Sequence, residues 1–541
     1  MNTPDLIHLL CLPQSYSHSV EVITTIETHI SVVFLTGPYA YKLKKPVDFG
    51  FLNFSTLKRR KQYCNLELAL NQRYSPQLYL DVVAVYLDQH NQISWQPTPS
   101  HPQPVEYLVK MKQFDPNEVL GNKLQTETLT SHQVEALGSL IADFHQSAEA
   151  IRSNTSLAQS PLGMPLTLLD PMLDNFPTLY KHFKKEDISI LKQLENWTQQ
   201  QFKQLSSVML LRRKEGYIKA CHGDLHSDNI TLINQQPVLF DGIEFNESFR
   251  WIDTISDLAF LLIDLDFKKQ TALHWKILSL YLSHTADYHA LKLLKFYQVY
   301  RTLVRAKITT LRATQLPNNH LEKSHLMQSA YDYMHLATTY SQPNTHPKLI
   351  LLQGVSGSGK SYFANQLISV MPAIILSSDR LRKQLYGIPP LHRVSDSEKR
   401  SLYNTQMNKK VYQTLLTHAQ QILSFGFNVI VDATFLQYKH RSPFYEVCHS
   451  LNQTNHYPIL SGVIYIDTSP ELAALAIQSR TQKNSNPSDA NHSVMQTQYK
   501  HLESPTSSEY SLTLKAEQLR QFFPIPLIQD FLNRPIPFKN E

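Results

Sequence analysis

The stretch LILLQGVSGSGKSYFANQL, residues 349 to 367, sets an apolar run before a glycine-rich turn and a helical pattern after it. G-x-x-x-x-G-K-S between a strand and a helix admits few folds. Gly354, Gly357 and Gly359 leave backbone amides free to wrap a β-phosphate, with Ser358 inside the same turn. Lys360 reaches the β and γ oxygens, and Ser361 offers its hydroxyl to magnesium, so ATP and Mg2+ are the expected ligands. The runs KLILLQG, AIILSS, NVIVDAT and GVIYID alternate with helical patterns, which predicts a parallel α/β sheet. The second run leads into SSDRLRKQLYG, where Asp379 and Arg382 form D-x-x-R, and the third ends at Asp432. Strand carboxyl ends are where open α/β sheets bind ligands.

This pattern occupies only residues 348–541 of a chain of 541, too long for one ordinary core. The polar stretch SQPNTHP, residues 341–347, reads as a linker, leaving residues 1–340 as a separate domain. In that domain VEVITTIETH and a hairpin through TGPY, between ISVVFL and AYKLKK, predict strands from Val20 to Lys45. STLKRRKQYCNLELALNQRYSP has helical spacing with a serine before it and a proline after it, and LYLDVVAVYL and VEYLVKMKQF return to strand character. Strands, one helix, then strands resembles a kinase N-lobe, about residues 1–113, and helical patterns dominate about 114–340. The expected fold class is an α+β bilobal protein-kinase-like domain followed by an α/β P-loop NTPase domain with a parallel sheet.

CHGDLHSDNI carries His222, Asp224 and Asn229 at the H-x-D-x-x-x-x-N spacing of a kinase catalytic loop. Such a loop brings a carboxylate, Asp224, to an acceptor hydroxyl and an amide oxygen, Asn229, to magnesium. PVLFDGIEFN then ends an apolar strand in Asp241, at about the separation expected of the second metal ligand. Asp48 competes for that role, because KKPVDFGF contains Asp-Phe-Gly; yet Asp48 precedes the catalytic loop, so its tripeptide is read as coincidental. Alternation in YAYKLKK puts Ala40, Lys42 and Lys44 on one strand face, matching the Ala-x-Lys of V-A-I-K. Lys42 is taken as the nucleotide lysine with Lys44 in reserve, and Glu67 on the next helix as its ion-pair partner. There is no G-x-G-x-x-G, so the turn from Glu27 to Ser31 would cover the phosphates without glycines.

HGDLHSDNI followed by FDGIEF resembles the aminoglycoside phosphotransferase and choline kinase branch of the protein-kinase-like superfamily, over roughly residues 20 to 340. His226 matches the H-G-D-L-H form of that branch, and Asp257 in WIDTISDLAF resembles its later structural aspartate. Residues 348 to 541 resemble the small P-loop kinases allied to phage polynucleotide kinase and zeta toxin. That resemblance implies Asp379 as hydroxyl-activating base, Arg382 as substrate-phosphate contact and Asp432 as a Walker-B-like carboxylate near magnesium. The helix ELAALAIQSRTQK looks like the lid, which places Arg480, and with it Lys483, over the phosphates; relatives often carry more arginines there. The whole chain resembles a bacterial group of bifunctional aminoglycoside phosphotransferase and ATP-binding proteins.

Composition limits the alternatives. With 42% hydrophobic and 18% charged residues the chain has the balance of a globular protein, and its +6 charge is spread over short basic runs. DLAFLLIDLDF, the best apolar run, is short and punctuated by aspartates, so no membrane span is expected. Cys11, Cys64, Cys221 and Cys448 lie far apart without C-x-x-C pairing, which points to a reducing compartment, the cytoplasm, and away from structural zinc. The expected activity is transfer of the ATP γ-phosphoryl group to a hydroxyl of a small-molecule or nucleotide-like acceptor, with two nucleotide sites. A regulatory protein with one domain acting as a nucleotide switch is the alternative. A nucleic-acid end kinase ranks lower, because no aromatic-and-basic stretch suits a single strand. Oligomeric state is not legible.

Overall fold

Antiparallel alternation builds the first sheet of the computed structural model, which describes residues 3–534 apart from 29, 51, 153, 345, 455–457 and 484–486. The expected hairpin forms from β2 (Ser31–Leu35) and β3 (Tyr39–Lys44), preceded by β1 (Thr24–Glu27). With β4 (Tyr79–Leu87), β5 (Ile93–Ser94) and β6 (Glu106–Lys112), the order is β1-β2-β3-β6-β4-β5. On one face Tyr41 and Leu43 of β3 pack with Phe34, Val85 and Leu108. On the other, Ala40, Lys42 and Lys44 meet the helix Leu57–Asn71.

That helix begins at Thr56, whose hydroxyl accepts from the Arg59 amide. It turns Arg60, Cys64, Glu67 and Asn71 inward, three of them polar, so polar pairs carry much of its attachment. Arg60, for instance, bonds Glu106 at 2.8 Å.

Beyond the sheet lie long helices and two short strand pairs, β7 (Ile218–Ala220) with β10 (Trp251–Asp253) and β8 (Ile230–Ile233) with β9 (Gln236–Leu239). DLAFLLIDLDF belongs to the buried helix Thr254–Phe267, and no helix among the described residues is long and apolar enough to cross a membrane.

The other sheet is parallel: β11 (Lys348–Gln353), β12 (Ile374–Ser377), β13 (Val429–Asp432), β14 (Leu460–Asp467) and β15 (Ser511–Lys515), in the order β12-β13-β11-β14-β15. The sequence reading had anticipated four of these strands. Ile350, Leu352, Phe363, Ile430 and Ile464 form its core on one side.

By compactness the chain forms two units, Met1–Leu129 with Asp143–Asp264 and Tyr300–Met334, and Thr130–Ala142 with Leu265–Val299 and His335–Glu541. The P-loop unit therefore takes in two segments that precede the linker read at 341–347. The physical reason lies at β12, an edge strand whose free amides need partners. The Ile375 amide donates to Ser279 Oγ at 3.0 Å, and Trp275 packs against the sheet's core.

After β13 the chain turns sharply at Phe435, whose φ of +45° is unusual for an aromatic residue. Arg441 holds this turn. Its Nη1 donates to the Phe435 carbonyl at 2.9 Å, and its Nε and Nη2 grip buried Glu509 at 2.6 and 2.8 Å. Arg441→Met should destabilise this unit by about 3–5 kcal/mol, because Glu509 is left buried without its cation. Urea denaturation of the full chain, followed by circular dichroism, reads this; a loss below about 1 kcal/mol would contradict the assignment.

Candidate active site

His222 opens the loop of the kinase-like unit, fully buried, with the Phe240 carbonyl accepting from its Nε2 at 2.9 Å. Burial pushes its imidazole below the ordinary range, which keeps the ring neutral and suited to this structural bond. The amides of His222 and Gly223 donate to Asp257 at 3.0 and 2.9 Å, and His145 meets the same carboxylate at 3.1 Å. Asp257 thus pins the loop's backbone.

Asp224 projects from that loop half-exposed. Asn229 Nδ2 donates to its carbonyl at 3.0 Å and its carboxylate at 3.2 Å, and His226 Nε2 stands 3.4 Å away. Burial would raise the Asp224 pKa, but His226, Arg305 and His222 together hold it well below the usual carboxylate range. The carboxylate in turn raises His226 against the effect of burial.

Asp241 adopts a φ of +61°, an uncommon backbone for a residue with a side chain. Neighbours hold it there: its amide donates to Tyr79 Oη at 2.9 Å, and the Gly242 amide donates to Asn71 Oδ1 at 2.9 Å. A Cβ at Gly242 would come within 2.2 Å of Tyr74 Oη, so a larger residue beside the aspartate would displace that tyrosine.

Lys42 joins these parts. Its ammonium donates to Glu67 Oε1 at 2.9 Å and to Asp241. Burial opposes its charge, yet Asp241, Glu67 and Glu244 raise its pKa well above the ordinary value. Lys44 also binds Glu67, at 2.5 Å, so both lysines of the alternation belong to one network. Its remaining partner, Glu244, was not singled out in the sequence, although it stands only three residues beyond Asp241.

Asp48 has different work. Exposed, it accepts from the Gly50 amide at 3.0 Å and from Asn53 Nδ2, closing its own turn.

In the P-loop unit, Gly354, Gly357 and Gly359 all have positive φ, and a Cβ at Gly357 would meet the Ala473 carbonyl at 2.4 Å. The Ser358 amide donates to the Val355 carbonyl at 3.2 Å. Lys360 Nζ donates to the carbonyls of Gly354 and Val355, each at 2.9 Å. Ser361 Oγ donates to Asp432 at 2.6 Å, joining the loop to the end of β13. Burial raises the Asp432 pKa, with Lys360 and Ser361 opposing it.

Asp379 lies in the first turn of the helix Ser378–Tyr386, but Ser377 is the cap, accepting from the Arg380 amide. Arg382 Nη1 donates to the Leu402 carbonyl and Asn408 Oδ1, both at 2.7 Å, and its guanidinium covers Tyr403. Its neighbour Arg380 grips Glu135 with both terminal nitrogens, at 2.8 and 2.5 Å. Arg480 and Lys483 fall in the helix Pro470–Lys483, and their side chains lie outside the described residues.

Residues 349–505 match the family described as AAA domain. Over 410 residues the chain is 29% identical to an uncharacterized protein of Mycobacterium tuberculosis (strain ATCC 25618 / H37Rv), covering 76% of this chain and 78% of that one. Among solved structures it is similar to a choline/ethanolamine kinase family protein from Mesorhizobium loti, with 12% identity and a TM-score of 0.37 over 63% of this chain and 98% of that one. A gluconokinase from Sinorhizobium meliloti 1021 aligns with 18% identity and a TM-score of 0.22 over 35% of this chain and 91% of that one. By strand order and motif, the chain joins a protein-kinase-like fold to a P-loop domain with a parallel sheet, which matches the AAA domain family over residues 349–505.

Asp48→Ala should leave nucleotide binding unchanged, whereas Asp241→Ala should abolish the tightening of ATP binding by Mg2+. Calorimetry on the full chain carrying Lys360→Ala, which silences the P-loop, separates the two. A loss confined to Asp48→Ala would reverse the assignment.

Proposed function

We propose that this chain is an ATP-dependent phosphotransferase with two nucleotide sites, each passing a γ-phosphoryl group to a hydroxyl of a small-molecule acceptor. The observation that carries the reading is Lys42, held between Glu67 and Asp241 beside the loop of Asp224 and Asn229. A lysine for phosphate, two oxygen donors suited to Mg2+ and a carboxylate for the acceptor proton are the parts that phosphoryl transfer requires. In this reading Lys42 binds the nucleotide's phosphates, Glu67 orients Lys42, and Asn229 and Asp241 hold the cation. Bound Mg2+ would neutralise charge developing on the phosphate oxygens. Asp224, kept ionised by its surroundings, orients the acceptor hydroxyl and takes its proton as the new bond to the γ-phosphorus forms and the bond to the β–γ bridging oxygen breaks, releasing ADP.

In the other unit the glycine turn, Lys360, Ser361 and Asp432 fit a nucleotide with Mg2+, since the hydroxyl and carboxylate already meet where a cation would sit. Asp379 would serve as base there. The cytoplasm, where free thiols persist, suits the four unpaired cysteines.

One observation favours a nucleotide switch for the P-loop unit: the Arg382 Nη1 is already engaged by Leu402 and Asn408. An Nη1 so engaged fixes this arginine to the fold and leaves only its other nitrogens for an acceptor phosphate.

The test is transfer from γ-labelled ATP to fractionated metabolites by the full chain. Asp224→Asn should lower labelling of one acceptor by roughly 10²-fold to 10⁴-fold while ATP still binds. Lys360→Ala should leave that acceptor labelled. If Asp224→Asn matches the parent on every labelled acceptor, the kinase-like unit does not use Asp224 as base; if wild type labels nothing while binding ATP, the switch reading prevails.

A further inference from the structure

A second buried ion pair reaches the loop of Asp241. Lys44 follows Lys42 by two residues on the same face of β3, and its Nζ bonds Glu67 Oε2 at 2.5 Å and also Glu244. Lys44 is 1% exposed and Glu244 5%. The ammonium also lies 4.9 Å from the ring centre of Phe54, so its stem and head are both enclosed. None of the phosphoryl-transfer roles assigned above uses either residue.

Their effect follows from charge balance. Lys42 and Lys44 are two buried cations, and Glu67 and Glu244 are two buried anions. Those four compensate one another in number, so Asp241, 42% exposed at its side chain, can leave the Lys42 ammonium it touches without stranding a buried charge. Without the charge of Glu244, Glu67 alone would serve two buried cations. Asp241 would then be needed as a permanent partner for Lys42, because an uncompensated buried charge is costly. A carboxylate bound to an ammonium in that way is a poorer ligand for a cation.

We propose that Lys44 and Glu244 form a charge-balancing pair that keeps Asp241 available to a divalent cation. Both are positioning residues, acting through Glu67 and Lys42. The same pair ties the 241–244 loop to β3, adding to the grip that Tyr79 and Asn71 exert on the backbone at Asp241. This inference rests on the proposed reading of Asp241 as a metal ligand.

The test compares ATP affinity in Mg2+ and in chelator, by calorimetry on the full chain carrying Lys360→Ala. Adding Glu244→Gln should cost roughly 10- to 100-fold of the Mg2+ enhancement, the usual effect of losing an outer partner of a metal site. Adding Lys44→Met to that variant should restore most of the enhancement, since the surplus cation is gone. A purely structural role predicts the opposite, further loss in the double variant. The proposal is overturned if Glu244→Gln keeps the parent's enhancement, or if the double variant is no better than the single. A parent with no Mg2+ enhancement would sink the metal reading of Asp241 itself. Should Glu244→Gln melt below the assay temperature, Glu244→Asp decides: it keeps the charge and is expected to retain the enhancement, and losing it would equally overturn the pair.

Discussion

Glu67, fully buried between two lysines, is the interaction on which the kinase-like unit depends. A carboxylate without water is stable there only because two ammonium groups surround it, and its pKa is lowered despite burial. The helix that carries it turns mostly polar residues inward, so removing the ion pairs would leave that helix with little apolar surface to hold it. The same contact orients Lys42 toward Asp241. Structural attachment and site geometry therefore rest on the same few atoms.

Backbone geometry obeys a similar economy. Asp241 and Phe435 both take left-handed conformations unusual for their residue types, and each is followed or gripped by residues that leave little alternative. Tyr79, Asn71 and the glycine at 242 confine the first; Tyr412 and Arg441 confine the second. In both units the unusual turn comes directly after a short strand that ends near an acidic residue of the site. A surrounding network that over-determines such a turn is what allows the strain to persist.

Much of this was legible in the sequence because some signals are local. The strand–glycine–helix order around Lys360, the alternation in YAYKLKK and the spacing of HGDLHSDN each depend on residues close together in the chain. The Asp-Phe-Gly at Asp48 was separated from Asp241 by order alone, and the turn that Asp48 closes accounts for its own hydrogen bonds. What escaped notice depends on distant partners. Glu244 looks like any acidic residue until Lys44, 200 positions earlier, is brought against it. Arg382 fits a substrate role by spacing, yet Leu402 and Asn408 take up its Nη1 only through tertiary packing. The helix Leu57–Asn71 hid its inner face for the same reason, since its polar residues acquire meaning only from their partners.

The exposed edge of the parallel sheet adds a constraint that composition does not carry. β12 ends the sheet on one side, and a parallel edge cannot be closed by a tight hairpin with the next segment. In this chain a helix formed long before the P-loop does part of that work, through Ser279 and Trp275. Arg380, one residue from Asp379, is likewise anchored by Glu135 from an early helix. A division at residues 341–347 follows composition, because polar, proline-bearing stretches mark most boundaries. Segments 130–142 and 265–299, which precede that stretch, nonetheless belong to the compact unit of the P-loop sheet and support its edge.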